Sequence, residues 1–112
     1  MADGIEVAKV GDIADGEGLK VSRIRTGTLD DIAVFNDGGA FFALDDTCSH
    51  EEASLSQGWV EDGTVECPLH AACFSLKDGA VLSLPATKGV AAHRVEIVGD
   101  AIVVHPAADR LA

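Results

Sequence analysis

Hydrophobic residues recur in short runs along this chain, and residues that favour turns separate the runs. Twelve glycines interrupt the sequence and leave little room for a helix of three turns, so the pattern predicts short β-strands. Ten segments are expected, at Ile5–Val10, Leu19–Arg25, Ile32–Asn36, Ala40–Leu44, Trp59–Val60, Thr64–Cys67, Phe74–Leu76, Ala80–Leu82, Ala92–Val98 and Ala101–His105. One stretch, Glu51–Gln57, has helical character, but it is too short for more than a turn or two and a loop explains it equally well.

The turn signals between these segments are of the kind found in tight hairpins. They are Asn36-Asp37-Gly38-Gly39, Glu61-Asp62-Gly63, Lys77-Asp78-Gly79 and Gly99-Asp100. Gly, Asn and Asp tolerate the positive φ that such turns require. Short strands joined by hairpins predict an all-β fold, an antiparallel sandwich or barrel.

The length of the chain indicates its number of domains, and its net charge indicates which kinds of partner it can bind. The chain has 112 residues and we expect residues 1–112 to form a single domain. Its net charge of −11 disfavours nucleic acid and anionic membranes as partners and favours a basic protein surface. The N-terminal residues lack the features of an export signal and no 18 apolar residues run together, so we expect a cytoplasmic protein without a membrane segment.

Two longer connections contain all three cysteines and two of the four histidines. The first contains Cys48-Ser49-His50, and the second, after sixteen residues, contains Cys67-Pro68-Leu69-His70. Two thiolates and two imidazoles at this spacing bind zinc tetrahedrally or hold an iron–sulfur cluster. Cys73 falls outside the pattern and is expected to pack as an apolar side chain beside the site. His93 and His105 lie in predicted strands and are interpreted as ordinary sheet or surface histidines.

These two motifs resemble the cluster-binding boxes of Rieske 2Fe-2S proteins. The resemblance implies that Cys48 and Cys67 bind the inner iron of one 2Fe-2S cluster, and that His50 and His70 bind the outer iron near the surface. It also implies a Rieske-like antiparallel β-sandwich of short strands, with a cluster-binding subdomain made of two loops at about residues 45–56 and 67–76.

The resemblance extends beyond the two boxes. Phe74-Ser75-Leu76-Lys77-Asp78-Gly79 is similar to the hairpin after the second box. Leu84-Pro85-Ala86 is similar to the proline loop that packs against the cluster, here at about residues 83–88.

Departures from the high-potential members of the family indicate a different branch. Those members join the two loops by a disulfide, but the corresponding positions hold Ala53 and Leu69, so no disulfide is expected. They also donate hydroxyl hydrogen bonds to sulfur from a Ser and a Tyr, where this chain has Ala72 and Phe74. Without these donors, and with acidic charge around it, the reduced cluster is less stable, so a low potential is expected.

The features together resemble the ferredoxin component of bacterial ring-hydroxylating dioxygenase systems. That resemblance implies a monomeric electron carrier with no catalytic residues and no substrate turnover. It would take electrons from a flavin-containing, NAD(P)H-dependent ferredoxin reductase and pass them to a terminal non-haem iron oxygenase. Three alternatives stay open: a Rieske-like small subunit of a nitrite reductase, a Cys2His2 zinc-binding module, and an apolar β-domain that binds no metal.

Acidic residues flank the first box on both sides. Asp45 and Asp46 precede it and Glu51 and Glu52 follow His50. We expect them to form a negative rim that attracts basic partners, although solvated loop carboxylates with no such role would have the same sequence.

Overall fold

The computed structural model describes residues 4–48, 53–68, 72–82 and 88–112, and within these ranges nine strands form two antiparallel sheets. The strands are β1 (Ile5–Lys9), β2 (Gly18–Val21), β3 (Ile32–Asp37), β4 (Ala40–Asp45), β5 (Trp59–Glu61), β6 (Thr64–Glu66), β7 (Cys73–Ser75), β8 (Ala92–Val98) and β9 (Ala101–His105). One short helix, α1 (Arg23–Thr26), and three 3-10 turns at Val10–Asp12, Leu55–Gln57 and Ala108–Arg110 complete the described elements. The all-β prediction is confirmed. No helix among them is long and apolar enough to cross a membrane.

The larger sheet has the strand order β1-β9-β8-β4-β3-β2 and curls around a core of its own. Val7 on one edge strand and Val21 on the other belong to the same buried cluster, so the two edges approach each other. Arg25, which follows β2, donates hydrogen bonds to the carbonyls of Glu6 and Val7 at 2.9 and 3.1 Å. These contacts occupy polar groups on the edge of β1 that would otherwise invite pairing with another chain.

A second core lies between the larger sheet and the smaller sheet, which has the order β5-β6-β7. Because side chains alternate along a strand, β3 directs Ile32 and Val34 into the first core and Ala33 and Phe35 into the second. Both faces of β3 are therefore buried along its apolar part, Ile32–Phe35. The second core also contains Cys48 and Cys67, the two cysteines that the sequence marks as metal ligands.

Turns that the sequence predicts close the hairpins. Gly38 and Gly39 adopt positive φ between β3 and β4, and Asp62 and Gly63 do so between β5 and β6. Gly99 has a φ of 63° between β8 and β9. These positions confirm the hairpin interpretation, because such turns need residues that tolerate left-handed backbone conformations.

Two predicted strands are wrong in part. The segment Leu19–Arg25 does not continue as a strand, since β2 ends at Val21 and Ser22 caps α1 by accepting a hydrogen bond from the Ile24 N–H at 3.2 Å. Local side-chain acceptors such as this one compete with strand pairing.

The segment Ala80–Leu82 is not a regular strand either. Val81 forms one isolated bridge with Phe74, so pairing there lasts a single residue. Within the predicted helical stretch, Leu55–Gln57 form a 3-10 turn, whereas residues 51 and 52 lie outside the described residues.

Candidate metal centre

The two cysteine loops close in the same way. The Cys48 N–H donates to the carbonyl of Ala53 at 2.9 Å, and the Cys67 N–H donates to the carbonyl of Ala72 at 2.7 Å. In each case the backbone returns to its cysteine five residues later. The two loops therefore have the same length, and each cysteine lies at the first position of its loop.

The two loops extend from different strands. The second extends the β6–β7 hairpin, in which Glu66 pairs with Cys73 immediately outside the loop. The first extends beyond β4, where Thr47 and Ser54 form an isolated bridge and the Leu55 N–H donates to the carbonyl of Asp46 at 2.7 Å. A sheet thus supports the second loop, whereas the first depends on one isolated bridge, a few further backbone hydrogen bonds and side chains.

Both cysteine side chains are buried in the core between the two sheets. Cys48 is 3% exposed and Cys67 is fully buried, and they belong to one apolar cluster with Leu44, Leu55 and Phe74. All three cysteines of the chain lie within the described residues, and none forms a disulfide. Two thiols outside any disulfide, delivered by two loops into one apolar core, fit the cysteine half of a Rieske site. The other predicted ligands, His50 and His70, lie outside the described residues.

Residues around the thiols agree with the expected departures from high-potential proteins. Ala53 is buried at one of the two positions that would carry a bridging cysteine, and the other, Leu69, lies outside the described residues. Ala72 and Phe74 are fully buried and have no hydroxyl group. At the positions that the structure describes, the surroundings of the thiols therefore hold neither a bridging cysteine nor a hydroxyl donor.

Cys73 does not occupy the position expected from the sequence. It is half-buried on β7, where alternation turns Phe74 into the core and Cys73 towards the other face. Its carbonyl accepts a hydrogen bond from the Leu82 N–H at 2.8 Å. Proximity in sequence to Cys67 therefore does not place the Cys73 side chain in the core beside Cys67.

The expected negative rim is wrong for two of its four residues. Asp45 and Asp46 are 5% and 4% exposed and make internal hydrogen bonds. The Asp46 carboxylate accepts from the Ser54 hydroxyl at 2.8 and 2.9 Å and from the Ser56 N–H at 3.0 Å. Burial of these carboxylates leaves little of either side chain for a partner to contact. Glu51 and Glu52 lie outside the described residues, so their part of the rim stays a prediction.

The carboxylates of Asp30 and Asp45 stabilise the segment that leads to Cys48. Asp30 accepts from the Thr47 N–H and from the Thr47 hydroxyl, both at 2.9 Å. Asp45 accepts on Oδ1 from Nε2 of His93 at 2.7 Å and on Oδ2 from Arg110. The sequence reasoning missed these roles, although Asp and Thr next to a loop are residues that commonly bond to nearby backbone.

The two strand histidines differ from each other. Nε2 of His105 on β9 lies 2.9 Å from a carboxylate oxygen of Glu96 on β8, at the partly exposed position expected for a surface histidine. His93 lies on β8 as predicted, but its ring is fully buried against Asp45. His93 is thus a sheet histidine, as expected, and it also links β8 to the base of the first loop, which the sequence did not indicate.

Comparison with known proteins identifies the class of this site. Residues 4–96 match the family described as Rieske [2Fe-2S] domain, and the chain belongs to that family. Its site therefore binds one Rieske-type 2Fe-2S cluster.

Similar proteins indicate which kind of Rieske protein this chain is. The chain is 46% identical over 101 residues to the 3-phenylpropionate/cinnamic acid dioxygenase ferredoxin subunit of Shigella flexneri serotype 5b, covering 89% of this chain and 91% of that protein. The protein of the same name from Escherichia coli K12 has the same identity and coverage. The fold matches the ferredoxin of carbazole 1,9a-dioxygenase from Nocardioides aromaticivorans IC177 with a TM-score of 0.85 and 30% identity, covering 95% of this chain and 100% of that chain. This protein is a Rieske ferredoxin, an electron carrier and not a catalytic oxygenase.

A structure described as a putative NADH-dependent nitrite reductase small subunit, from Mycobacterium tuberculosis, has a TM-score of 0.82 at 22% identity, covering 96% of this chain and 98% of that chain. At that identity the similarity concerns the fold alone. The ferredoxins are closer in sequence as well as in structure, so the nitrite reductase alternative is the weaker one.

Proposed function

We propose that this ferredoxin carries single electrons from an NAD(P)H-dependent flavin reductase to a terminal non-haem iron oxygenase of an aromatic-ring dioxygenase system. The observation that carries the proposal is the 46% identity to a dioxygenase ferredoxin subunit over nearly the whole length of both proteins. A further structural match, with a TM-score of 0.82 and 31% identity, comes from a complex of reduced oxygenase and oxidised ferredoxin in carbazole 1,9a-dioxygenase. We propose that the carrier acts as a monomer in the cytoplasm, where thiols stay reduced.

The ligand set that we propose is Cys48 and Cys67 for one iron and His50 and His70 for the other. When bound, the cluster supplies one-electron redox chemistry. The chain keeps water from the cysteine side, because Leu44, Leu55 and Phe74 surround the thiols in the core. Imidazole ligands at the ends of two loops would leave the histidine side facing a partner. Redox encounters of this kind bury little surface, so weak and rapid binding is expected.

Electron transfer is the direct test of the proposed function. The purified holoprotein is mixed with NADH, a flavin-dependent ferredoxin reductase and a Rieske-type aromatic oxygenase, and oxygen uptake is followed with the oxygenase substrate present. We expect oxygen uptake to require the ferredoxin and to rise with its concentration. Stable co-purification with a nitrite reductase large subunit, combined with failure to support the oxygenase, would contradict the proposal.

Colour and magnetic resonance test the cofactor. A brown protein whose reduced form has an EPR signal supports the cluster, whereas a colourless protein with stoichiometric zinc contradicts it. Cys48→Ser and His70→Ala should each abolish the visible absorption, because each removes one of four protein ligands. His105→Ala is the matched histidine control and should retain it. His93→Ala is a poorer control, since that ring is buried against Asp45.

A further inference from the structure

The C-terminal segment of the chain, residues 106–112, folds back onto the base of the first cysteine loop. Arg110 donates from Nε to Oδ2 of Asp45 at 2.7 Å, and its Nη2 lies 2.6 Å from the same oxygen. The Ala107 N–H donates to Nδ1 of His93 at 2.9 Å. Ala107 and Arg110 lie beyond residues 4–96, the part of the chain that matches the Rieske domain family, whereas Asp45 and His93 lie within it.

Backbone pairing fixes the same segment on its other side. The Leu29 N–H donates to the carbonyl of Arg110, and the Ala112 N–H donates to the carbonyl of Gly27, both at 2.9 Å. Thr28 and Leu111 form an isolated bridge between these two bonds. Arg110 is thus held in place by its own backbone and is not a freely moving terminal side chain.

The hydrogen bonds assign the donor and acceptor atoms in this group of side chains. Nδ1 of His93 accepts from a backbone N–H, so its ring carries a proton on Nε2 and donates that proton to Oδ1 of Asp45. Arg110 supplies the positive charge opposite the Asp45 carboxylate. The side chain of Asp45 is 6% exposed and that of Arg110 is 31% exposed, so the pair is partly shielded from water.

The pair lies next to the first cysteine loop. Asp45 comes three residues before Cys48 in the chain. Asp45, Cys48 and Arg110 line one surface cleft together with Thr47. A change in the net charge of the pair would therefore be felt at a group bound through Cys48, since the surroundings are buried and weakly screened.

We propose that Arg110 is a positioning residue that sets both the charge and the geometry at the base of the first cluster loop. The inference rests on the proposed binding of the cluster through Cys48. Reduction adds a negative charge to the cluster, so an uncompensated carboxylate nearby disfavours it. Arg110 cancels the charge of Asp45 and so keeps the midpoint potential from falling further. It also holds Asp45 in place at the start of the segment that leads through Thr47 to Cys48.

A set of charge variants tests the electrostatic part. Midpoint potentials are measured by redox titration of holoprotein carrying Arg110→Gln, Asp45→Asn, both changes together, or Arg110→Lys. We expect a more negative potential for Arg110→Gln, a more positive one for Asp45→Asn, and a value near wild type for the double variant and for Arg110→Lys. Asp109→Asn, which changes an exposed neighbouring charge, is the control and should shift the potential less than Arg110→Gln.

The directions of the potential shifts distinguish an electrostatic role of Arg110 from a general loss of structure. Single variants that shift in the same direction, or a double variant that differs from wild type more than either single variant does, would overturn the charge role. Loss of the cluster in Arg110→Gln with retention in Arg110→Lys supports the proposal, because lysine keeps the charge. Equal loss in both would overturn it.

A second readout does not depend on the cluster. Amide hydrogen exchange, measured by mass spectrometry, should become faster in the peptide that contains residues 45–48 when Arg110 is changed to Gln. The β5–β6 hairpin, which is remote in sequence from the pair, serves as the internal control. Unchanged exchange at residues 45–48 would overturn the positioning role even in apoprotein. Wild-type protein that contains no cluster would instead contradict the proposed function. Failure of the positioning role can therefore be distinguished from failure of the proposed function.

Discussion

Replacing Asp46 by Ala is expected to destabilise the first cysteine loop more than any exposed aspartate would. The carboxylate is 4% exposed and accepts from the hydroxyl of Ser54 and the N–H of Ser56. The Ser54 proton is shared between the two carboxylate oxygens, so the variant loses two charge-assisted hydrogen bonds and not three. It also leaves the Ser56 N–H without this acceptor.

The size of the effect follows from these contacts. A hydrogen bond to a charged group contributes about 1.5–3 kcal/mol, so the two together account for roughly 3–6 kcal/mol. Relief from burying a charge offsets part of this, and Ser54 keeps its 2.7 Å contact with the Ser56 hydroxyl. We expect a net loss of about 3 kcal/mol. Asp46→Asn keeps one acceptor oxygen and should lose about half as much.

Thermal unfolding of the holoprotein provides the assay. With roughly 4 °C of Tm per kcal/mol for a domain near this size, Asp46→Ala should lower Tm by about 12 °C and Asp46→Asn by about 6 °C. All variants are heated at one scan rate, because release of the cluster makes unfolding irreversible. Asp78→Ala removes an exposed carboxylate that accepts one backbone hydrogen bond, and it is the matched control. A Tm for Asp46→Ala equal to that of the control would refute the reasoning.

Three further predictions concern the site and the fold. Voltammetry should give a midpoint potential near the low end of the Rieske range, about −150 mV, because Ala72 and Phe74 offer no hydroxyl to sulfur; a value well above zero would contradict this. Cys73→Ser should keep the visible spectrum and the potential, since that side chain faces away from the core, and bleaching would show that Cys73 is a ligand. Gly79→Ala should lower Tm by several degrees, because φ is +73° there and the new Cβ would collide with the carbonyl of Val90. An unchanged Tm would mean that the turn rearranges at little cost.

Local sequence was sufficient for most of the strands and for the site motif. Gly and Asp at hairpin turns act through their own φ preferences, so Gly38, Asp62 and Gly99 could be interpreted without knowledge of distant residues. The spacing of Cys48 and Cys67 from their histidines likewise indicates the ligand chemistry by itself. Where the local signal was mixed, as in Leu19–Arg25, a capping serine took precedence over the apolar pattern.

Tertiary structure decided the roles of the charged residues around the first loop. Asp45 meets His93 and Arg110, which are 48 and 65 residues away in the chain, and nothing beside Asp45 in the sequence distinguishes it from a solvated carboxylate. The sequence by itself determined the cluster motif, since ligand spacing and turn geometry are properties of neighbouring residues. Only the folded chain decided which carboxylates are buried and paired, because burial and charge compensation depend on strands that meet from distant parts of the sequence.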